Sequence, residues 1–332
     1  KRDINYGAEI SVLDTRLNFE VNYYDNKVTD LLDDVRLPVS VGRGSSVVNS
    51  GILSNKGWEI STRIEAIKNA DWLWEIGGNI TTVKNNLEKV YYRNEPNVSS
   101  LLPQHVEGYA VNSWFGYKFD HINPTNGHVM AVAQTVDVNG NIDGEEVIDL
   151  SGISSADLQS NYRTFYLGQQ NPTLYGGFNT QLRYQNITMR ANFVFAMGNK
   201  IMSFQDRREG PSGLTDDITA ARTNRLKNQQ YRWTQPGDIT DIPAYSSNYS
   251  NYASYLITKD LEKGAYIKCT EVGFSWRANP NMFNKVVRQL TIGLYANNLF
   301  TISPYSGTDP EIQMAFGYPT TPSYIFSLNV GF

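Results

Sequence analysis

The chain reads as all-β: an antiparallel sheet of long strands with the make-up of a membrane-crossing barrel wall. Three observations lead there. Apolar and polar residues alternate with period two over stretches of eight or more residues. The connections between these stretches alternate short and long. Aromatics reach 12%, with 21 Tyr, 14 Phe and 6 Trp, beside 33 Asn, a bias towards strands and loops rather than helices. No run approaches the ~18 to 20 apolar residues that a membrane-spanning helix needs. A membrane barrel is not excluded by that, because its alternating strands dilute the hydropathy signal.

Taken in order, Leu17, Phe19, Val21 and Tyr23 alternate with Asn18, Glu20 and Asn22, and Trp58, Ile60, Thr62, Ile64 and Ala66 with Glu59, Ser61, Arg63 and Glu65. Trp72, Trp74, Ile76 and Ile80 share one parity, with Glu75, Asn79 and Thr81 on the other. Ile187, Met189, Ala191, Phe193 and Phe195 alternate with Thr188, Arg190 and Asn192. Leu290, Ile292, Leu294 and Ala296 alternate with Thr291, Tyr295 and Asn297, and Tyr324, Phe326, Leu328, Val330 and Phe332 share a face at the end. Each such strand has one apolar and one polar face. A soluble sandwich with one wet face, a carbohydrate-binding or adhesin module, competes with a lipid-facing barrel on this pattern alone. Strand length favours the barrel, since crossing lipid takes ~9 to 11 residues per tilted strand and soluble strands average ~5 to 6. Aromatics near strand ends, Tyr23, Tyr24, Trp58, Trp72, Tyr184, Trp276 and Tyr324, suit interfacial girdles.

Short turns are expected at 14–16, 68–71 and 185–186, a moderate one at 278–288, and long connections at 30–50, 84–173, 203–263 and 303–323. Short turns on one side and long loops on the other are the asymmetry of an outer-membrane barrel. With the last strand running inward, strands over 8–13, 17–29, 51–66, 72–83, 174–184, 187–202, 266–276, 290–301 and 324–332 alternate in direction from both ends of the chain. The two counts agree if 84–173 lies outside or holds an even number of extra spanning strands. The strand-like run Trp114-Phe115-Gly116-Tyr117-Lys118-Phe119 reads as a hairpin within it. About nine spanning strands is odd, where single-chain bacterial barrels are even, and open sheet edges are not tolerated in lipid. The expectation is one unit, residues 1–332, forming the C-terminal part of a larger barrel whose plug and first strands lie elsewhere. The start at Lys1, with neither Met nor an apolar signal segment, reads as that of a mature or cut piece.

The 332 residues suggest about two domains as a length prior. The net charge of −4 gives no reason to expect nucleic acid as a partner. Cys269 is the single cysteine, so no intrachain disulfide forms, and three His argue against a His-rich metal site.

Several segments resemble SusC-type (RagA-type) TonB-dependent transporters. Asn49-Ser50-Gly51-Ile52-Leu53-Ser54-Asn55-Lys56-Gly57-Trp58-Glu59 looks like the family's N-x-G-x-x-x-N-K-G-x-E signature. Asn5-Tyr6-Gly7-Ala8-Glu9, then Tyr23-Tyr24 and Asp30-Leu31-Leu32, are similar to the stretch before it. Trp114-Phe115-Gly116-Tyr117, Pro172-Thr173-Leu174-Tyr175-Gly176-Gly177, Arg232-Trp233-Thr234 and Lys263-Gly264-Ala265-Tyr266-Ile267-Lys268 follow in order. The strongest is Ala296-Asn297-Asn298-Leu299-Phe300 leading to Gly307-Thr308-Asp309-Pro310-Glu311, and the terminal Phe332 fits an outer-membrane assembly signal. Ala265, where Ser is common, and Lys268, often Arg, depart from the pattern. The resemblance implies a ~22-strand barrel in the outer membrane of a Gram-negative bacterium of the Bacteroidota. It implies active import of oligosaccharides, or alternatively oligopeptides, without enzymatic chemistry or cofactor. The partners it implies are the plug and remaining strands, a SusD-like lid lipoprotein and TonB.

Candidate sites are weaker. Asp137-Val138-Asn139-Gly140-Asn141-Ile142-Asp143 spaces its oxygens like a calcium loop but lacks the required Gly and Glu, so an Asx-rich turn is the better reading. Asp206-Arg207-Arg208-Glu209 and Asp216-Asp217 read as a solvated loop surface, or as lid docking. Glu59, Glu65, Glu75 and Arg63 sit on polar strand faces and suit a water-lined lumen. The best substrate-contact candidates are loop aromatics: Trp114 and Phe115, near Tyr109, and Tyr231 and Trp233, followed by Tyr245, Tyr249, Tyr252 and Tyr255. Flat rings stack on sugar faces or peptide side chains, while mutual packing of the loops is the alternative use of the same rings.

Overall fold

A computed structural model describes residues 1–36, 39–42, 45–90, 95–98, 100–203, 230–244, 255–279, 287–312 and 318–331. In chain order its strands are β1 (Arg2–Val12), β2 (Leu17–Arg36), β3 (Ser45–Lys68), β4 (Trp72–Thr82), β5 (Lys84–Lys89), β6 (Ser113–Gly116), β7 (Lys118–Ile122), β8 (Val129–Val136) and β9 (Ile142–Asp149). A short helix α1 (Ser155–Asn161) leads to β10 (Tyr162–Arg163), β11 (Phe165–Gln169), β12 (Leu174–Tyr184), β13 (Ile187–Met197), β14 (Lys200–Met202), β15 (Leu261–Lys263), β16 (Tyr266–Arg277), β17 (Gln289–Ile302) and β18 (Ser323–Gly331).

Nine of these make one antiparallel wall in the order β1-β2-β3-β4-β12-β13-β16-β17-β18, so each wall strand pairs with the next wall strand along the chain. All the short turns fall at one end. Leu13, Asp14 and Thr15 turn with positive φ, Asn69 Oδ1 accepts the N–H groups of Asp71 and Trp72, and Gln185-Asn186 joins β12 to β13. All the long connections leave from the other end, as the alternation of connection lengths requires.

Register puts polar side chains in rows across the wall. One row runs Asn18, Arg63, Gly77, Asn179, Asn192, Glu271 and Asn297. The opposite face carries Trp74, Leu182, Met189, Phe274, Leu294 and Phe326 in one row. That apolar face has no second layer over it among the described residues. Leu294 stays 54% exposed, Phe326 66% and Leu328 58%. A sandwich would bury this face against a partner sheet. A bare apolar band is the surface that lipid covers. Aromatic pairs edge the band: Tyr23 and Trp58 at 4.9 Å towards the loop end, Trp72 and Tyr184 at 4.2 Å at the turn end. From Trp58 to Ile67, the residue opposite Trp74, the strand rises ~30 Å at ~3.3 Å per residue. At a tilt of ~40° that is ~23 Å, close to the ~25 Å apolar band of outer-membrane barrels.

The buried core lies outside the wall. Of residues 84–173 only β5 joins the wall, continuing beyond β4 and pairing with β3 over residues 52–56. β7, β8, β9 and β10 form a small sheet, and Tyr117, Ile122, Val129, Ala131, Leu150, Leu158, Tyr255 and Ile257 pack into one cluster against it. The run from Trp114 to Phe119 is not a hairpin. β6 pairs with β11, β7 pairs with β8, and the chain changes sheets at Tyr117, whose fully buried ring is needed in the core. The strand begun at Ile187 ends at Met197 rather than 202. Gly198 turns with φ +85°, and β14 pairs separately with β15. β2 and β3 run further than 29 and 51, through a bulge at Asp30 (φ +58°), as a ribbon beyond the Tyr23–Trp58 girdle. Asp206–Glu209, Asp216-Asp217, Tyr245, Tyr249, Tyr252 and Phe332 lie outside the described residues.

Candidate functional site

The loop end is held together by side chains that reach far along the sequence. Trp114, 3% exposed, packs with Met202, Leu256 and Leu261 and donates its indole N–H to the Lys200 carbonyl at 2.9 Å. Phe115, 2% exposed, points to the opposite face of β6, where the rings of Tyr109 (5.0 Å, 89°) and Tyr166 (5.9 Å, 62°) meet it edge-on. Both rings of this dipeptide are therefore buried in loop packing. The surface above Phe115 is formed instead by Tyr109 and Tyr166, stacked at 5.2 Å and both partly exposed. Tyr166 had no local signal in the sequence. Its position depends on the β6–β11 pairing.

Tyr231 and Trp233 lie on a separate segment. Trp233 packs against the core cluster, donates its indole N–H to the Pro124 carbonyl at 3.0 Å, and lies over Gly127, where a Cβ would come within 2.6 Å of the ring. Asp238 caps the turn by accepting from the Thr234 and Gln235 N–H groups, which holds its carboxyl below the usual range. Lys259 donates to Asp241 at 2.8 Å and ties the segment down. Tyr231 is left two-thirds exposed. The four predicted aromatics thus occupy distinct packing environments rather than one pocket.

The Asp137 loop is the β8–β9 turn. Asp137 Oδ1 accepts the N–H groups of Asn139 and Asn141, which lowers its pKa, and Thr135 donates to Asp143 Oδ1 at 2.6 Å. These oxygens are engaged by their own chain, and no group of three or more His, Cys, Asp or Glu is arranged to hold a metal ion among the described residues.

On the polar face of the wall, Arg63 pairs with Glu75 and Arg190 with Glu271, the Arg190 guanidinium lying 4.8 Å above the Tyr295 ring. Glu65 accepts from Lys68 at 2.6 Å. Arg63, Glu75 and Arg190 line a recess of ~540 Å³ together with Asn179, Gln181 and Asn192. Glu65, Glu75 and Glu271 thus each have a cation against them. At the loop end, Lys268 on β16, with its side chain 5% exposed, pairs with Glu311 at 2.6 Å. Asp309 accepts from the Glu311 N–H and from Thr320. The motif residues near 309 and 268 therefore fasten the last long loop to the wall.

No protein-family model matches the chain. TonB-dependent receptor P3 of Formosa agariphila is 26% identical over 362 residues, covering 100% of this chain and 34% of that protein. TonB-dependent receptor SusC of Bacteroides thetaiotaomicron is 21% identical over 346 residues, covering 99% of this chain and 31% of SusC. Among solved structures, a chain of the RagAB peptide transporter superposes with a TM-score of 0.80 at 22% identity, over 99% of this chain and 35% of that one. The RagAB peptide importer in its 'closed-closed' state gives 0.79. The chain spans about a third of the length of the curated relatives it matches. Along its whole length it is thus a homologue of the C-terminal part of SusC-type TonB-dependent receptors, and the part it matches is outer-membrane β-barrel.

Proposed function

We propose that this chain is the C-terminal part of the barrel of an outer-membrane importer, and that its cargo is an oligosaccharide. The bare apolar face on one side of a nine-stranded wall, with a polar face on the other, is the observation that carries this reading. β1 and β18 each have one wall neighbour among the described residues. In the proposal the remaining strands and a plug, contributed by the rest of the same transporter, close that wall, because an open edge in lipid leaves backbone groups unpaired.

The work is passage, not catalysis. Cargo is captured outside, between the long loops and a SusD-like lid lipoprotein. TonB then remodels the plug, and cargo enters the periplasm past the polar face. There Arg63 is matched by Glu75 and Arg190 by Glu271, so a neutral oligomer meets hydrogen-bonding groups without a net charge to trap it. A second reading, oligopeptide import, is favoured by the likeness to a chain of the RagAB peptide transporter.

Deleting the transporter gene in its source organism tests both readings. Loss of growth on a defined oligosaccharide, with growth on oligopeptides intact, supports the first; the reverse supports the second. Co-purification in detergent of a surface lipoprotein tests the lid. A detergent-free, monodisperse monomer with native strand content overturns the barrel reading.

A further inference from the structure

We propose that the Tyr109–Tyr166 stack is a sugar-binding platform that takes the apolar face of a neutral hexopyranose ring. The proposal rests on the import reading above and assigns it a capture point. Three separate pieces of chain bring the rings together. Tyr109 ends a turn stitched to β5: the Gly108 N–H donates to the Leu87 carbonyl and the Leu87 N–H to the Tyr109 carbonyl, both at 2.8 Å, with Gly108 at φ +85°. Tyr166 lies on β11 opposite Phe115, just before a bulge at Gly168 (φ +125°). Phe115 forms the floor beneath both.

The rings lie 29° from parallel, and packing does not use them up. Phe115 is 2% exposed, yet Tyr109 keeps 40% and Tyr166 44% of its surface open. A loop that needed only a packed core would turn those faces inward, since apolar ring surface left in water forgoes ~25 cal/mol per Å². Burial pushes the Tyr166 pKa up, so the ring stays neutral across physiological pH. Close by in the chain, Asn112 (φ +60°) accepts at Oδ1 from the His105 ring at 2.9 Å, and its backbone carbonyl accepts the Gln170 N–H. Flat apolar ring faces suit a pyranose, whose C–H face is apolar and whose equatorial hydroxyls point outward. On the polar face of the wall the Arg63–Glu75 and Arg190–Glu271 pairs cancel in charge, which fits an uncharged ring as cargo.

The test uses the complete transporter, purified in detergent, on immobilised panels of neutral hexopyranose oligosaccharides and of oligopeptides. The expected result is saturable binding to at least one oligosaccharide, weakened about tenfold or more by Tyr166→Ala or Tyr109→Ala and retained by Tyr166→Trp. Heat-modifiable migration on gels confirms that each variant is a folded barrel. Unchanged affinity in the alanine variants, binding to peptides alone, or no binding to either panel overturns the platform. These outcomes are distinct from failure of the import reading, which shows as unaltered growth of the gene-deletion strain on every nutrient.

Discussion

Tyr24 lies across Gly57. The two residues face each other on β2 and β3, and the Tyr24 hydroxyl donates to the Thr82 carbonyl at 3.0 Å, one strand further on. A Cβ on Gly57 would sit 2.6 Å from the Tyr24 hydroxyl oxygen and 1.9 Å from the Thr82 carbonyl oxygen. The missing side chain is what lets the ring lie flat and bond across three strands. This accounts for Gly in the Asn55-Lys56-Gly57 motif without any role in chemistry.

Gly57→Ala should therefore force apart backbone that no rotamer change can relieve. Overpacking of this kind costs ~1 to 3 kcal/mol. Tyr24→Phe loses only the hydrogen bond, ~1 kcal/mol. Urea unfolding of the refolded transporter, followed by heat-modifiable migration, should rank wild type above Tyr24→Phe and both above Gly57→Ala. Equal midpoints for Gly57→Ala and wild type would show that the contact is loose.

Face assignment makes a second prediction. Phe193 stacks on Phe178 across the β12–β13 pair at 4.6 Å and 13° on the apolar face, while Asn192 is on the polar face. A charge facing lipid near mid-membrane costs ~2 to 4 kcal/mol, and a lumen substitution costs little. Phe193→Arg should cut the yield of folded barrel far more than Asn192→Arg, measured in matched outer-membrane fractions. Equal losses would mean that the faces are reversed.

The segment around Trp233 separates packing from contact. Trp233 pins residues 230–244 to the β7–β8 hairpin, whereas Tyr231 is exposed. Trp233→Ala should reduce growth on the cognate nutrient at unchanged surface level and make the segment easier for protease to cut. Tyr231→Ala should leave protease resistance intact. If growth also falls in Tyr231→Ala, the ring touches cargo or lid; if growth is unchanged in both variants, neither residue takes part in uptake.

Acid should loosen the same segment. Hydrogen bonds from Thr234 and Gln235 to Asp238, and from Lys259 to Asp241, hold both carboxyls below their ordinary values. A carboxyl depressed in the folded state contributes stability above its unfolded pKa of ~3.9 and loses it as pH falls through the folded value. Hydrogen exchange of residues 230–244 should stay flat from pH 7 to ~5, after correction for intrinsic rates, and rise below ~4. Asn at both positions should remove that rise. A corrected rate independent of pH would show that these bonds do not hold the segment.

The wall was legible in the sequence because side-chain direction in a strand alternates whatever the strand pairs with. Leu17, Phe19 and Val21 declare a face from their spacing alone, and so do Leu290, Ile292 and Leu294. Connection lengths then set the order and direction of the nine strands, since neighbours in an antiparallel barrel are neighbours in the chain. Strand ends were less legible. Gly198 and Asp30 end or bend strands through backbone conformation, which the apolar period does not register.

The loop end was decided by tertiary structure. Nothing within Trp114-Phe115 says that both rings are buried. That follows from a carbonyl at Lys200 and from Tyr109 and Tyr166 arriving from elsewhere in the chain. Tyr166 became a surface candidate only when β11 paired with β6. A strand's faces are a local property of a two-residue repeat, and the sequence by itself determined them. Which aromatic in a long loop is covered and which is left open depends on contacts between distant segments, and only the fold brings those together.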